Sequence, residues 1–276
     1  MMFVIGGRGR LGQAIARQYG ADAVCVERAV YQDWAEPGAQ AAIDAFFAPL
    51  AGTGATVFVT SGLLDPRLAP EDIWKVNVTL PCNIIDAGCR HGVRVTTFGT
   101  VMEALLADHN PYVRSKVALG QYVARKAADG AAVSHVRVHT LYGGGEPSPF
   151  MFLGQALGAL RQASPFKMTL GKQLREYHHV DDDAHAIRLL DDAGVAGVLD
   201  LSHGAPVSLA NLAQAVFDAF GAAGQLQVGA IPEPRDENYD TVFTRHPLLA
   251  QATFRDTLPA VVAYLEQCGA PRNQKI

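Results

Sequence analysis

The 276-residue chain has few cysteines and little charge, and it has no long hydrophobic run. Its four cysteines, Cys25, Cys82, Cys89 and Cys268, lack the paired spacing of a metal site, which favours idle thiols in a reducing compartment. The net charge of −4, without a basic cluster, argues against a nucleic-acid-binding protein. No apolar run is long enough to span a bilayer, so no membrane partner is expected.

The start of the chain enters an apolar strand pattern directly, without the features of a signal peptide. We therefore expect a cytoplasmic protein. The length fits one large domain, or one domain with a smaller partner.

Strand and helix patterns alternate over the first half of the chain. Short apolar runs predict buried strands, and the segments between them carry apolar residues at helical spacing. The predicted strands are MFVIGG, AVCVE, ATVFVTSG, VRVTTFGT and AVSHVRVHTLYG, with GVLDLS later in the chain. This alternation predicts an α/β fold with a doubly wound parallel sheet.

The regular alternation breaks at GGGEPSPF, where glycine and proline crowd together over residues 143–150. We place a domain transition there. The first domain is predicted to contain residues 1–142 plus about 177–203. A smaller subdomain is predicted to contain residues 143–176 plus 204–276.

Three glycines, Gly6, Gly9 and Gly12, lie between the first strand and the first helix. Backbone N–H groups and the helix dipole form an anion site at such a turn. Glycine is needed because a Cβ would hold a pyrophosphate away or clash where the helix crosses the strand. Two residues separate the first two glycines, where the commoner Rossmann spacing has one. The loop predicts dinucleotide binding.

The residues around the second strand leave the type of dinucleotide open. Glu27 at its end suits both ribose hydroxyls of NAD. Arg28 beside it, and Arg8 and Arg10 in the glycine loop, suit the 2′-phosphate of NADP.

A tyrosine and a lysine, Tyr112 and Lys116, lie four apart on a helix that Asn110 is predicted to cap and Pro111 to begin. A free tyrosine is a poor base at neutral pH, and a nearby ammonium lowers its pKa. Such a pair suits proton transfer at a carbonyl or carbinol oxygen while a hydride moves at the carbon.

These motifs, with VNVTLPCNIIDA, HTLYG and REYHHVDD, resemble the extended short-chain dehydrogenase/reductase family. The combination is similar to the branch that modifies nucleotide-activated sugars: epimerases, dehydratases and 4-keto reductases. The resemblance runs from Val4 to about Asp183, with weaker matches in GVLDLSHGAPVSLANLA and PEPRDE. It implies a Rossmann domain, a smaller C-terminal substrate-binding α/β subdomain, and a homodimer to which the Tyr112 helix contributes.

The resemblance also implies catalytic roles. Tyr112 would move the proton, Lys116 would lower its pKa and hold the nicotinamide ribose, and Thr100 would orient the reacting oxygen. Thr97 is the competing choice for the last role. Dehydratases of this family carry an acid pair directly after the threonine, whereas here Glu103 comes one place later, so dehydration is not expected.

The glycine loop resembles that of GDP-fucose synthase-type reductases, in which an arginine at this place contacts NADP. That resemblance tilts the prediction toward NADP, through Arg8, with NAD still open. The predicted cofactor-binding residues are Gly6, Arg8, Gly9, Arg10, Leu11, Gly12, Glu27, Arg28, Ser61, Gly62 and Lys116.

On the substrate side, the resemblance implies that arginines hold the diphosphate of a sugar nucleotide. Arg175 matches the first of these, and Arg235 matches the second less closely. A guanidinium suits a diphosphate, and an ion pair with Glu176 or the following aspartates is the competing role for Arg175. Thr140 stands where relatives often carry a substrate-contacting asparagine, which leaves the sugar contact open.

No metal site is predicted from the adjacent histidines His178 and His179 and the aspartates that follow. Neighbouring residues on a strand point to opposite faces, so a structural histidine and a capped helix start are preferred.

The sequence therefore predicts reduction or epimerisation of a nucleoside-diphosphate sugar, without choosing between them. Two alternatives remain. One is a reductase of a small non-nucleotide carbonyl compound, and the other is a non-catalytic dinucleotide sensor, against which the tyrosine–lysine pair argues.

Overall fold

The computed structural model describes residues 1–65, 67–106, 108 and 110–271. The chain divides into two compact units. The first contains Met1–Val138, Asp183–Leu201 and His246–Ala252, and the second contains His139–Asp182, Ser202–Arg245 and the residues from Thr253 onward. The last residues of the predicted subdomain, 272–276, lie outside the described residues.

The strands confirm the predicted fold class. They are β1 Met2–Ile5, β2 Ala23–Val26, β3 Thr56–Val59, β4 Arg94–Thr100, β5 Val133–Val138, β6 Thr140–Tyr142, β7 Phe166–Met168, β8 Leu174–Arg175, β9 Tyr177–His179, β10 Gly197–Asp200, β11 Val207–Ser208 and β12 Leu226–Val228. Six of them form one parallel sheet in the order β10-β5-β4-β3-β1-β2. This is the Rossmann-like sheet of the first unit.

The helices alternate with these strands. They are α1 Arg10–Tyr19, α2 Arg28–Tyr31, α3 Gln40–Phe47, α4 Pro70–Trp74, α5 Leu80–His91, α6 Met102–Leu105, α7 Pro111–Ala128, α8 Phe152–Gln162, α9 Val180–Asp192, α10 Leu209–Ala219 and α11 Thr257–Gln267. A π-helical turn, Lys75–Thr79, joins α4 to α5. Pro81 lies in the first turn of α5, directly after this π-helical turn. Among the described residues, no helix is both long and apolar enough to cross a lipid bilayer.

One predicted strand is wrong. The segment AVSHVRVHTLYG forms two strands, β5 in the large sheet and β6 paired in parallel with β9. The break falls at His139, where the chain passes from the first unit to the second. Both strands bury apolar side chains, so the hydrophobic pattern does not mark the break.

Each unit has its own hydrophobic core. In the first, buried apolar side chains from the sheet pack with those of the following helices, including Ile5, Phe47 and Ile84. In the second, three two-stranded sheets, β6–β9, β7–β12 and β8–β11, carry a core that includes Tyr142, Phe166 and Phe217.

Candidate active site

Two of the three loop glycines are required by the packing of the first unit. Gly6 has a positive φ of 89°, and a Cβ there would collide with the backbone N of Ser61. A Cβ on Gly12 would lie 2.7 Å from the carbonyl oxygen of Gly6, where α1 crosses the loop. Both positions therefore need glycine whether or not a ligand binds.

The third glycine, Gly9, is not required by packing. A Cβ there would meet only the oxygen of Gly6, at 3.4 Å, and Gly9 is exposed at the N-cap of α1. Within the described part of the chain no side chain caps this helix, and its first turn has no acidic residue. The first N–H groups of a helix have no partner within the helix, so this open loop fits the diphosphate of a dinucleotide.

The predicted ribose-binding residues lie at the same edge of the sheet. Ile5 pairs with Val26 on one side and with Val59 on the other, so β1, β2 and β3 end side by side. Glu27 follows β2 and is exposed, and Arg28 begins α2. The order of the strands reverses at β1, which is where ligands bind in sheets of this type.

A buried asparagine fixes the loop that follows β3. Asn77 Oδ1 accepts a hydrogen bond from the Leu63 N–H at 2.8 Å, and its Nδ2 donates to the Leu63 oxygen at 3.0 Å and to Ser115 Oγ at 3.0 Å. The loop is thereby tied to α7. A Cβ on Gly62 would lie 3.6 Å from Lys116 Nζ, so the predicted cofactor residue Gly62 adjoins the predicted catalytic lysine.

The structure brings Tyr112 and Lys116 together in the first turns of α7. The Asn110 side chain caps this helix by accepting a backbone N–H at 2.9 Å, as predicted. Lys116 Nζ donates to the carbonyl oxygen of Phe98 at 2.8 Å and lies 6.0 Å from the centroid of the Tyr112 ring. Phe98 is two residues before Thr100, the last residue of β4, so this hydrogen bond holds the lysine against that strand.

Burial sets the protonation of this pair. Lys116 is only 7% exposed, and its desolvation lowers the pKa to about 8. Desolvation, and then the negative charge of Glu103, hold the pKa of Tyr112 above its ordinary value. The expectation that Lys116 lowers the Tyr112 pKa is not met, because desolvation of the phenolate dominates. Tyr112 keeps its proton at neutral pH, which suits a proton donor.

The two candidate threonines differ in their surroundings. Thr97 is fully buried, and its hydroxyl donates to the Ser134 oxygen at 3.1 Å and lies 2.9 Å from His135 Nδ1. Thr100 is partly exposed, and its Oγ1 accepts only the Met102 N–H, at 3.3 Å, among the hydrogen bonds of the described residues. The Thr97 hydroxyl is therefore committed to the interior.

Sequence reasoning missed a buried pair behind Thr100. His135 Nε2 lies 3.2 Å from both carboxylate oxygens of Glu103, and Glu103 Oε1 also accepts the Thr100 N–H at 2.7 Å. A Cβ on Gly99 would collide with both side chains, and one on Gly120 would lie 2.9 Å from Glu103 Oε2. Gly99 and Gly120 are the sequence features that could have indicated this pair. They do so only when it is known that β4, β5 and α7 pack together.

The predicted substrate residues lie in the second unit. Arg175, in β8, forms an ion pair with Glu237, and not with Glu176 or the aspartates that follow. Both members of the pair are less than one-fifth exposed. Thr140 begins β6, and Arg235 is exposed in the loop that also carries Glu237.

Comparison with known families agrees with this geometry. Residues 2–198 match the family described as the NAD dependent epimerase/dehydratase family. The family match and the fold define an NAD-dependent enzyme of the short-chain dehydrogenase/reductase type. The chain belongs to the NAD-dependent epimerase/dehydratase family. A search of curated protein sequences finds no match.

Solved structures share the fold over nearly the whole chain. MoeE5 in complex with UDP-glucose and NAD is 22% identical, with a TM-score of 0.75 over 97% of this chain and 98% of that chain. UDP-N-acetylglucosamine 4-epimerase from Methanobrevibacter ruminantium M1 is 14% identical, with a TM-score of 0.74 over 96% of both chains. A dTDP-4-dehydrorhamnose reductase from Clostridium acetobutylicum is 15% identical, with a TM-score of 0.74 over 97% and 99% of the two chains.

Proposed function

We propose that the protein reduces or epimerises the sugar of a nucleoside-diphosphate sugar with NAD or NADP. The observation that carries this proposal is the buried Lys116, held by the Phe98 oxygen beside Tyr112 and Gly62, in the unit that carries the glycine loop. Structures of the same fold contain a UDP-sugar and NAD, which supports this class of substrate and cofactor.

In this proposal, bound nicotinamide supplies or accepts the hydride. The Tyr112 hydroxyl donates its proton to the sugar oxygen during reduction and takes it back during oxidation. Lys116, which adjoins Gly62, holds the ribose of the nicotinamide. The partly exposed Thr100 hydroxyl orients the sugar oxygen, a role supported by the commitment of Thr97 to the interior.

The type of dinucleotide is part of the proposal. Glu27 suits the ribose hydroxyls of NAD, and Arg8, Arg10 and Arg28 suit the extra phosphate of NADP. Arg8→Ala decides between them: it weakens NADP binding more than NAD binding if Arg8 contacts the 2′-phosphate, and weakens both equally if it does not. Fluorescence titration with NADH and NADPH measures the two affinities.

We propose the second unit as the substrate-binding subdomain, with Arg175, Arg235 and Thr140 as contacts of the sugar nucleotide. In this proposal, a diphosphate that binds Arg175 replaces the carboxylate of Glu237. The guanidinium then exchanges one anionic partner for another, which keeps its charge compensated.

Turnover of a panel of UDP-, dTDP- and GDP-sugars and their 4-keto derivatives tests the proposal. Stoichiometric loss of NAD(P)H identifies a reductase, and a changed sugar without net loss of NAD(P)H identifies an epimerase. Reduction of small carbonyl compounds alone would favour the first alternative. Dinucleotide binding without any turnover would favour the sensor.

The proposal also includes a cytoplasmic location and, as the family resemblance implies, a homodimer formed through α7. Sedimentation equilibrium tests the assembly: a monomer at micromolar concentration contradicts it. Fractionation of the cells that make the protein tests its location.

A further inference from the structure

The second unit buries three histidines around one carboxylate oxygen. Glu176 Oε2 lies 2.9 Å from His178 Nε2, 3.4 Å from His203 Nδ1 and 3.8 Å from His139 Nε2. Each of the four side chains is less than 10% exposed. None of them is needed for the proposed reaction.

The topology of the unit assembles this group from three separate segments. His139 directly precedes β6, and His203 follows β10. Glu176 directly precedes β9, and His178 lies within that strand. The parallel pairing of β6 with β9 sets Thr140 opposite Tyr177, which brings His139 beside Glu176. The His178 ring lies between the other two, with ring centroids 5.1 Å from His139 and 4.6 Å from His203.

Two imidazole nitrogens of the group lack a hydrogen-bond partner. Among the described residues, His139 Nε2 and His203 Nε2 are both buried and make no hydrogen bond. Phe243 and Phe254 pack edge-on against these rings and offer no acceptor. A buried nitrogen without a partner is costly, and His139 Nε2 is aimed at the carboxylate from beyond hydrogen-bond distance. A ligand between them would relieve this cost.

The donor atoms fit a zinc ion. Imidazole nitrogen and carboxylate oxygen are common zinc ligands, and donors about 2.0–2.1 Å from a tetrahedral ion lie about 3.4 Å apart. The three nitrogen–oxygen distances of 2.9, 3.4 and 3.8 Å bracket that separation. Ligand atoms of Glu176, His178 and His203 all lie within 4.8 Å of one another. His139 lies outside that group of three, and its Nε2, 3.8 Å from Glu176 Oε2, has to move closer when the ion binds. Mg²⁺ and Ca²⁺ prefer oxygen donors and fit this set poorly.

We propose that His139, Glu176, His178 and His203 bind one Zn²⁺ ion. His139 and His178 bind through Nε2, His203 through Nδ1 and Glu176 through Oε2. The ion replaces the direct contact between His178 and Glu176. It also replaces the 3.1 Å hydrogen bond that the Ala205 N–H donates to His203 Nδ1, because a metal–nitrogen bond is much stronger than one neutral hydrogen bond.

The surroundings of the carboxylate support this arrangement. Glu176 Oε1 accepts the Ser202 hydroxyl at 2.7 Å, and Oε2 accepts the backbone N–H of His203 at 2.8 Å, so Oε2 stays turned toward the histidines. Outer contacts of this kind orient metal ligands. Four protein ligands make a closed, structural site. His179, which follows His178, points away and packs against Tyr142, as its place on the strand predicts.

A calorimetric titration of the full-length protein tests the site without any variant. The protein is first freed of metal with a chelator, and ZnCl₂ and MgCl₂ are then added separately. We expect one Zn²⁺ per chain, a raised melting temperature, and no response to Mg²⁺. Absence of stoichiometric Zn²⁺ binding, or an equal response to Mg²⁺, would overturn the proposal. No substrate is present, so failure here leaves the proposed reaction untouched.

Two variants test which histidines bind. His139→Gln and His203→Gln should each weaken Zn²⁺ binding by more than the roughly 10–100-fold that loss of an outer contact causes, and should remove the shift in melting temperature. His91→Asn changes a histidine bonded to Asp44 in the first unit, and it should bind Zn²⁺ as the wild type does. Wild-type affinity in both test variants would place the ion elsewhere and overturn the proposal.

X-ray absorption at the zinc edge keeps the test decisive if a variant fails to fold. The wild-type protein with one Zn²⁺ should show nitrogen and oxygen ligands with the scattering of imidazole rings. Sulfur ligands would assign the ion to cysteines and contradict the proposed site.

Discussion

Both units bury a glutamate against histidine, but only one of the two groups is complete. In the first unit, both nitrogens of His135 have partners, Thr97 at 2.9 Å and Glu103 at 3.2 Å. In the second unit, Glu176 faces three histidines, and two imidazole nitrogens have no hydrogen-bond partner among the described residues. Buried polar groups are usually fully paired.

This difference distinguishes a structural role for the Glu103–His135 pair from a ligand-binding role for the group around Glu176. The polar atoms of the Glu103–His135 pair all have partners, and Glu103 accepts the Thr100 N–H, so the pair fixes the backbone of Thr100 in the proposed active site. In the group around Glu176, His139 Nε2 is buried without a hydrogen-bond partner among the described residues, and the proposed ion supplies one. Burial alone therefore does not distinguish the two roles, whereas an account of every donor and acceptor does.

The largest expected effect tests the chemistry of the first unit. Tyr112→Phe removes the proposed proton donor and should lower kcat by about 10²–10⁴-fold, with dinucleotide affinity retained. Tyr122→Phe is the matched control on the same helix, because its hydroxyl contacts Asp86 instead. Steady-state kinetics of the three proteins measures this. Full turnover in Tyr112→Phe would mean that the first unit does not use this phenol.

The next effect tests the burial of Lys116. Between pH 8 and 10.5 the unfolded chain keeps a proton that the native lysine has lost, so the free energy of unfolding rises with pH over that range. The rise should approach ~3 kcal/mol. Lys116→Met has no such group and should lack it. Urea unfolding of both proteins without cofactor at the two pH values measures the difference, and parallel pH profiles would contradict the burial of a lysine there.

A smaller effect tests the packing of the complete pair. Gly99→Ala places a Cβ against Glu103 and His135 and should lower the free energy of unfolding by about 1–3 kcal/mol. Gly158→Ala, in α8 of the second unit, is the control, because a Cβ there meets nothing within 4 Å. It should raise stability by roughly 0.5–1 kcal/mol. Equal stability of the two variants would show that the pair is loosely packed.

The smallest effect tests the proposed substrate arginine of the second unit. Glu237→Gln removes the anionic partner of Arg175 and should lower KM for the sugar nucleotide about fivefold, the equivalent of ~1 kcal/mol, with kcat unchanged. Glu146→Gln removes an exposed partner of Arg161 in the same unit and is the control. An unchanged KM in Glu237→Gln would indicate that the substrate does not compete for Arg175.

The two units also differ in how much of their structure could be predicted from the sequence. The parallel sheet, the glycine turn between β1 and α1, and the Asn110 cap follow from local rules, and the sequence predicts all three. The tyrosine–lysine spacing is equally local. These features depend on residues only a few positions apart, which is the range over which such rules operate.

The features that the sequence did not predict depend on distant residues. Glu103 and His135 are 32 positions apart, and Arg175 and Glu237 are 62 apart. His139 reaches Glu176 because the chain breaks between β5 and β6, a break that the apolar pattern does not mark, and His203 reaches it from the segment after β10. Long-range pairing of this kind leaves no periodic signal in one sequence, so three scattered histidines look unrelated.

The central claim is that the loop Gly6–Gly12 binds the dinucleotide in the unit that carries Tyr112 and Lys116. Gly9→Val tests it most directly, because a Cβ at this exposed N-cap meets only the Gly6 oxygen, at 3.4 Å, whereas a side chain there blocks the approach of a diphosphate. The measurement is titration of wild type and variant with NADH and NADPH, with melting temperatures as the check on folding. We predict saturable binding by the wild type, its loss in Gly9→Val, and equal melting temperatures without ligand. Equal binding by both proteins, or none by either, would contradict the claim.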